Sequence, residues 1–286
     1  MKIFVNGKIV DRKKAVISVE DRGFLYGDGL FETMRSYGGR VFALDEHLAR
    51  LYCSSRLIGM KIEKDKKYFI QAVYWALKAN RLSDAYVRLT VTRGKGMIGI
   101  AASDIRDQSY VVIAKKFIPY PAKLYEKGVR LLTASVRRNE ASVTSRVKSL
   151  NYLDNIMARI EAQRRGAADG LILNTSGMVA SAVVSNIFMI KGKRLITPSL
   201  DSGILPGVTR KIVLSLALKL GLSPVEKRVR PQELLSADEA FLTNTLMEVM
   251  PVARIDNKLI GTGSPGPVTK SIHEKYRDFV RRKIAV

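Results

Sequence analysis

The stretch that decides the fold runs from residue 146 to residue 210 and opens with Arg-Val-Lys-Ser-Leu-Asn-Tyr-Leu (146–153). The segments that follow it are, in order, a helix-like run to Arg165, an apolar strand (170–174), the turn Thr-Ser-Gly (175–177), an apolar run (178–190) with Ser-Asn at 185–186, Thr-Pro (197–198) and Gly-Ile-Leu-Pro-Gly-Val-Thr-Arg (203–210). By itself Lys148 is most simply a solvated surface lysine, because the chain holds 49 lysine and arginine residues.

Length and composition limit the class of protein. A chain of 286 residues is expected to form one large or two modest domains. Apolar residues make up 47%, enough for a buried core. No apolar run is as long as a membrane span, and the first residues are too soon interrupted to be a signal peptide. One cysteine, Cys53, excludes an internal disulfide framework, so we expect a cytoplasmic protein that does not bind membranes.

The net charge of +23 raises the question of nucleic-acid binding. The basic residues are scattered, however, and no basic stripe with interleaved aromatic residues is present. We therefore expect no nucleic-acid partner. A basic surface can also steer anionic ligands, or it can simply be solvated, and we prefer the last interpretation.

Local patterns predict a mixture of helices and strands. The predicted strands are 2–10, 15–19, 85–93, 109–115, 128–136 and 170–174, and the predicted helices are 66–80, 152–165, 208–220 and 270–282. The proline-containing segment Phe-Ile-Pro-Tyr-Pro (117–121) favours an extended connector. We therefore expect a small amino-terminal domain (1–117), a linker (118–126) and a larger carboxyl-terminal domain (127–286).

Two other kinds of site are poorly supported. Gly-Lys-Gly-Met-Ile-Gly (94–99) matches a dinucleotide-binding pattern, but residues 100–104 do not continue as an amphipathic helix. The chain has only two histidines, His47 and His273, which are too few partners for zinc or Ser-His-Asp chemistry. We expect no metal site.

The ordered motifs resemble those of the class IV (fold type IV) pyridoxal-phosphate enzymes. These comprise branched-chain aminotransferases, D-amino acid aminotransferases and aminodeoxychorismate lyases. The matching segments are Gly-Asp-Gly-Leu-Phe-Glu (27–32), Glu-His-Leu-Ala-Arg-Leu (46–51), Lys-Ser-Leu-Asn-Tyr-Leu (148–153) and Leu-Pro-Gly-Val-Thr (205–209). The resemblance covers nearly the whole chain and implies an α/β (α+β) fold of two domains with pyridoxal 5'-phosphate between them.

The resemblance also implies roles for individual residues. Lys148 would be the catalytic residue, forming the Schiff base and moving the substrate Cα proton. The implied cofactor contacts are Arg50, Lys148, Tyr152, Ser181, Leu205, Gly207, Val208, Thr209 and Thr245. The implied substrate contacts are Tyr26, Phe31, Tyr86, Arg88, Leu246 and Met247. Arg50, Thr209 and Thr245 would hold the phosphate together with backbone N–H groups at a helix start.

One position departs from the family pattern. Most relatives have a glutamate after the second strand, where it pairs with the pyridine nitrogen and keeps it protonated. Ser181 stands there, and no Asp or Glu lies between Asp169 and Asp201. A serine cannot supply the negative charge that favours a pyridinium. We therefore expect a weaker electron sink and a reduced or altered activity.

The motifs support two reactions of the family, transamination and the lyase reaction, almost equally. Thr33 and the segment Asn-Thr-Leu-Met (244–247) resemble the aminodeoxychorismate lyases, whereas Tyr-Val-Arg (86–88) resembles the branched-chain aminotransferases. We expect an aminotransferase that moves the amino group between a branched-chain-like or broad amino acid and a 2-oxo acid. The lyase, which would form 4-aminobenzoate and pyruvate, is the alternative, and a weakly active cofactor-binding protein is the third. Relatives are usually homodimers, so a homodimer is expected here.

Overall fold

The computed structural model describes residues 1–102 and 105–285. Two compact units account for the described chain. Unit 1 comprises residues 1–118 and the short segment 147–151, and unit 2 comprises residues 119–146 and 152–285. The chain therefore returns to unit 1 for the residues around Lys148. The architecture is a mixed α/β fold, as expected.

Unit 1 is an antiparallel sheet with helices on one face. Its elements are β1 (Lys2–Val5), β2 (Lys8–Asp11), α1 (Arg22–Tyr26), β3 (Gly29–Tyr37), β4 (Arg40–Val41), α2 (Leu44–Leu57), α3 (Lys66–Ala79), β5 (Ala85–Thr92) and β6 (Tyr110–Lys116). The strand order is β2-β1-β6-β5-β3-β4. Alternate residues of β3 and β5, such as Met34 and Val87, are buried with Leu48 of α2 and Phe69 of α3. Phe31, Tyr86 and Arg88 occupy the intervening positions of these strands, so they lie on the other face of the sheet.

The predicted strand at 15–19 is wrong. This segment follows a 3-10 turn (Arg12–Lys14) and joins no ladder in the part of the chain that the structure describes. Val16 and Val19 are exposed, so their β-branched side chains pack against no neighbouring strand among the described residues and do not favour a sheet here. Instead, β1 pairs with β2 through the Asn6-Gly7 turn and with β6 on its other side.

Unit 2 is a mixed sheet with helices packed on it. Its elements are α4 (Ala122–Lys127), β7 (Val129–Arg138), α5 (Leu153–Arg164), β8 (Asp169–Asn174), β9 (Val179–Ala182), β10 (Asn186–Lys191), β11 (Arg194–Pro198), α6 (Val208–Lys219), β12 (Ser223–Lys227), α7 (Pro231–Leu235), β13 (Glu239–Asn244), β14 (Glu248–Ile255), β15 (Lys258–Leu259) and α8 (Pro267–Ala285).

The sheet of unit 2 runs in the order β12-β11-β10-β13-β14-β7-β8-β9, with β15 paired to β14. The pairs β11–β12, β14–β7 and β7–β8 are parallel, and the other pairs are antiparallel. A bridge between Val179 of β9 and Val229, just after β12, joins the two edges of the sheet. The sheet therefore curls into a barrel-like wall around apolar residues such as Leu131, Ile187 and Leu242.

The glycine-rich segment 94–99 is not followed by a helix as far as residue 102. Ser103 and Asp104, the last two residues of the segment 100–104, lie outside the described residues. A dinucleotide-binding turn needs a helix start directly after the glycines to receive the pyrophosphate. The described residues do not supply one.

Candidate active site

Lys148 is held against strand β3 by its own backbone. The amide of Phe31 donates to the carbonyl of Lys148 at 2.9 Å, and the amide of Leu150 donates to the carbonyl of Gly29 at 2.9 Å. A Cβ on Gly29 would lie 2.7 Å from the carbonyl oxygen of Val91 and 2.8 Å from the Leu150 side chain. Glycine is therefore required where the lysine-bearing segment meets the sheet.

The half-buried side chain of Lys148 lies over an aromatic ring that a second cation also covers. Its Nζ is 4.3 Å from the centroid of Phe31, and the guanidinium carbon of Arg88 is 3.7 Å from the same centroid. Tyr86 lies two residues before Arg88 on the same face of β5, with Nζ of Lys115 5.0 Å from its ring. The predicted residues Lys148, Phe31, Arg88 and Tyr86 therefore share one basic, aromatic face, which suits an anionic substrate.

Arg50 belongs to a buried charge network on the other side of β3. Its Nε donates to Oε1 of Glu32 at 2.8 Å, and its Nη2 donates to Oε2 at 2.6 Å. His47, one helical turn earlier in α2, contacts Oε2 of Glu32 through Nδ1 at 2.8 Å. The two-pronged contact fixes the plane of the guanidinium, because a carboxylate matches the spacing of the arginine donors.

Burial and charge together set the protonation of this network. Burial alone would raise the pKa of Glu32, but Arg50 and the hydrogen bond from His47 outweigh it and lower the pKa to about 2. The pKa of His47 is lowered, chiefly because the ring is fully buried. At neutral pH Glu32 is therefore ionised and His47 is neutral, and because a carboxylate only accepts, Nδ1 of His47 is the donor.

Sequence reasoning assigned no role to Glu32 or His47. Both lie inside motifs that carried the family resemblance, and the spacing of His47 and Arg50 places them on one face of a helix. The signal that could have singled them out is Glu32 itself, because it is an acid in the middle of an otherwise buried strand. Such an acid requires a cationic partner.

Tyr26 lies at the end of α1. Its hydroxyl accepts a hydrogen bond from the amide of Gly99 at 2.8 Å, and Arg22 lies 5.1 Å from its ring centroid. Arg22 also donates to the carbonyl oxygens of Gly99, Ile100 and Ala101. The predicted substrate contact Tyr26 therefore anchors the end of the glycine-rich stretch, and Arg22 anchors the residues that follow it.

In unit 2, helix α6 begins at Val208 as a ready-made anion site. Gly207 is its N-cap and has no side chain to cap the helix, so the first turn can present backbone amides to an anion. A Cβ on Gly207 would lie 2.1 Å from Oδ1 of Asn186, whose Nδ2 donates to the carbonyl of Leu205 at 3.0 Å. Thr209 is buried in the first turn. The four predicted residues Leu205, Gly207, Val208 and Thr209 are thus successive parts of one helix start.

Ser181 and Tyr152 lie elsewhere in unit 2. Ser181 is half-buried in β9 and its hydroxyl donates to the carbonyl of Ala182 at 2.8 Å. Tyr152 is half-buried and caps α5, where its carbonyl accepts from the amide of Ile156 at 2.9 Å. The Ser181 hydroxyl therefore bonds to a backbone carbonyl of its own strand.

The predicted contacts Thr245, Leu246 and Met247 form the turn between β13 and β14. The amides of Leu246 and Met247 donate to Oδ1 of Asn244 at 2.9 and 2.8 Å, respectively. Thr245 and Leu246 are half-buried, whereas the Met247 side chain packs into the core of unit 2. Leu246 is therefore better placed than Met247 to contact a ligand through its side chain.

Neither metal chemistry nor a membrane span is supported within residues 1–102 and 105–285. No group of three or more His, Cys, Asp and Glu residues there could hold a metal ion. No helix in that part of the chain is long and apolar enough to cross a membrane. Both histidines instead contact buried glutamates, Glu32 and Glu248.

Comparisons with known proteins identify the family of this chain. A sequence model of the family "Amino-transferase class IV" matches residues 29–255. A Methanocaldococcus jannaschii protein, provisionally named as a branched-chain-amino-acid aminotransferase, is 42% identical over 98% of this chain and 96% of its own length. The aminodeoxychorismate lyase of Bacillus subtilis is 34% identical over 99% of this chain and 96% of its own length.

Solved structures give the same picture. The branched-chain aminotransferase of Thermoproteus uzoniensis, solved with norvaline, has a TM-score of 0.91 and 33% identity, covering 99% of this chain and 95% of that chain. The Escherichia coli branched-chain aminotransferase has a TM-score of 0.93 and 28% identity, covering 98% of this chain and 94% of that chain. Another structurally similar branched-chain aminotransferase was solved with pyridoxamine 5'-phosphate. The chain therefore belongs to the class IV aminotransferases, enzymes that use pyridoxal 5'-phosphate.

Proposed function

We propose that this chain transfers an amino group between an amino acid with a branched-chain-like or broad range of side chains and a 2-oxo acid. The observation that carries the proposal is the fixed position of Lys148. Its backbone is hydrogen-bonded to β3, and its Nζ lies 4.3 Å from the centroid of the Phe31 ring, which Arg88 also contacts. The relatives named above support the reaction type, and several of them are named as branched-chain aminotransferases.

The residues present fit pyridoxal phosphate in each unit separately. In unit 1, Lys148 offers the primary amine that the cofactor aldehyde requires. In unit 2, α6 offers a helix start beside Thr209, and Gly207 keeps that end of the helix clear of a side chain. The bound cofactor supplies an electron sink for the charge that develops when the substrate loses its Cα proton.

The other roles in proton transfer, substrate binding and cofactor binding fall to individual side chains. We propose that the Lys148 amine would accept the Cα proton of the substrate and would then donate it to the aldehyde-derived carbon of the cofactor. Arg88 and Tyr86 would receive the substrate carboxylate, with Phe31 and Leu246 beside its side chain. Arg50, oriented by Glu32, would bind the cofactor phosphate. Tyr152 and Thr245 would add cofactor contacts.

Ser181 would face the ring nitrogen in this arrangement. Its hydroxyl donates to the carbonyl of Ala182, so it offers a dipole and no net charge. We propose that the ring nitrogen is less readily protonated here than in relatives that carry a glutamate. Such a change lowers the rate of transamination without removing the cofactor.

The deciding assay offers 2-oxoglutarate with a panel of L- and D-amino acids and, separately, aminodeoxychorismate. Formation of glutamate with branched-chain donors is expected. Visible absorbance of lysine-bound cofactor should disappear in Lys148→Ala, whereas Lys115→Ala, on the same sheet, should retain it. Production of pyruvate and 4-aminobenzoate without glutamate would overturn the transaminase proposal.

The lyase remains the second candidate because of the turn between β13 and β14. Asn244 and Leu246 stand where branched-chain enzymes have small residues, and they resemble the lyases at these positions. The Bacillus subtilis lyase and a Pseudomonas aeruginosa lyase structure, the latter with 31% identity and a TM-score of 0.86, match nearly the whole chain. The same two assays separate the candidates.

We also propose a cytoplasmic homodimer. In unit 1 the large apolar residues Phe24, Met97, Ile98 and Ile100 are exposed, and Ile100 is 90% exposed. We propose that these residues form one apolar patch, because large exposed apolar patches usually mark a protein interface. Arg22 holds the segment in place through three backbone carbonyls. Sedimentation at several concentrations tests the dimer, and the single cysteine suits a reducing compartment.

A further inference from the structure

A buried acid in unit 2 takes no part in the chemistry described above. Glu248 follows the turn Asn244–Met247 directly and is the first residue of β14. Its φ is +61°, in the left-handed region that residues with a Cβ seldom adopt. Its side chain is 7% exposed. Surrounding contacts must therefore hold both its backbone and its charge.

Two side chains from helix α8 supply those contacts. Nε2 of His273 lies 2.8 Å from Oε2 of Glu248, and Nε of Arg277 donates to the same oxygen at 3.0 Å. Burial would raise the pKa of Glu248, but the hydrogen bonds from His273 and Arg277 lower it to about 2. The carboxylate is therefore ionised at neutral pH and ties the start of β14 to one face of α8.

Tyr125 of α4 links the same helix to the preceding residue. Its ring stacks on His273 with centroids 5.2 Å apart and an angle of 17° between the planes. Its hydroxyl donates to the carbonyl of Met247 at 3.0 Å. Met247 is thus held through its carbonyl by Tyr125, and Glu248 is held through its carboxylate by His273 and Arg277.

The turn itself has little freedom left. Inside it, Oδ1 of Asn244 accepts from the amides of Leu246 and Met247. At its end, Met247 is anchored in the apolar core. Leu246, by contrast, is half-buried and lies outside that core, and our proposed function places it beside the substrate. A shift of Glu248 would move Leu246 with it.

We propose that Glu248 is a positioning residue that fixes the Asn244–Met247 turn to helix α8 and thereby sets which substrate side chains the enzyme accepts. The specificity half of this proposal rests on the proposed function, because it requires Leu246 to face the substrate. The mechanical half, which couples α8 to the turn, requires no substrate. The two halves are tested by different measurements on the same cofactor-loaded protein.

The mechanical half is tested by hydrogen exchange at the amides of Leu246 and Met247. Glu248→Gln keeps the size of the side chain but removes its charge, and Glu248→Gly removes the side chain while suiting the positive φ. Both variants should accelerate exchange on the order of tenfold. Asn244→Gly, which removes the acceptor of both amides, is the positive control. Asp278→Asn is the matched control, because it removes one exposed charge from α8 without touching Glu248.

The specificity half is tested by kcat/KM for donors of increasing side-chain size, from alanine to leucine. Both Glu248 variants should change the ratio between small and large donors on the order of tenfold, mainly through KM. A purely structural role would lower thermal stability and reduce all donors equally. Tyr125→Phe should shift the ratio in the same direction but less.

Three results have distinct meanings. Unchanged exchange in both Glu248 variants overturns the mechanical half. Faster exchange with unchanged donor ratios overturns the specificity half. If the wild-type protein transaminates no donor at all, the proposed function and the specificity half fall together, and the exchange result still decides the mechanical half.

Discussion

Replacing the buried acid Glu32 with glutamine should destabilise the protein by about 3 kcal/mol. The pKa of Glu32 is about 2 instead of its ordinary 4.5. Each unit of difference between the folded and unfolded pKa corresponds to about 1.4 kcal/mol, so the ionised carboxylate contributes roughly 3 kcal/mol to stability at neutral pH. The side chain is 1% exposed, so solvent screening does not reduce this contribution.

The sign of the pH dependence follows from the lowered pKa. A carboxylate whose pKa is depressed by folding stabilises fully above its unfolded pKa, and that stabilisation is lost as the pH falls toward the folded value. The contribution of Glu32 should therefore be complete at pH 7, about 1 kcal/mol smaller at pH 4 and nearly gone at about pH 2. In Glu32→Gln this component is absent at every pH.

Chemical unfolding of the two proteins at pH 7 and pH 4 measures both quantities. The difference in unfolding free energy should be about 3 kcal/mol at pH 7 and about 2 kcal/mol at pH 4. Asp11→Asn, which breaks an exposed ion pair with Lys2, is the control and should change neither value measurably. Equal stability of wild type and Glu32→Gln at pH 7, or a difference that does not shrink at pH 4, would refute the reasoning.

Three further predictions concern single side chains. Ser181→Glu should raise the rate of transamination, measured as glutamate formation with the cofactor content held equal; no gain with cofactor still bound would count against the role given to Ser181. Gly207→Ala should weaken cofactor retention on dialysis on the order of tenfold, because the new Cβ would lie 2.1 Å from Oδ1 of Asn186, whereas Ser215→Ala, at an exposed position of the same helix, should not. Arg22→Ala should weaken the proposed dimer, because the 99–101 segment loses its hydrogen bonds; an unchanged sedimentation profile would contradict this.

Sequence periodicity predicted the elements whose pattern is set by one buried face. The helix predicted at 66–80 is observed at Lys66–Ala79, and the helix predicted at 208–220 is observed at Val208–Lys219. Both bury one apolar stripe, which is what periodicity detects. The segment 15–19 failed because β-branched residues are favoured in strands only where a neighbouring strand packs against them.

The motifs predicted the family and cofactor, but they did not reveal the contacts between distant residues. The sequence did not identify Arg50 as the partner of Glu32, or His273 and Arg277 as the partners of Glu248. These pairs are separated by 18 to 29 residues and meet only when a helix packs on a strand. The positive φ of Glu248 also has no sequence signal, because the residue there is not glycine or asparagine.

The return of residues 147–151 to unit 1 affects how the chain folds as it is synthesised. When the ribosome has produced residues 1–118, the amide of Phe31 and the carbonyl of Gly29 still lack the partners that Lys148 and Leu150 later provide. This part of the edge of strand β3 therefore stays unpaired until about thirty more residues have been synthesised. A fragment that stops at residue 118 should expose that edge, and unpaired strand edges promote aggregation. The lysine segment thus completes an earlier part of the fold as well as carrying the amine.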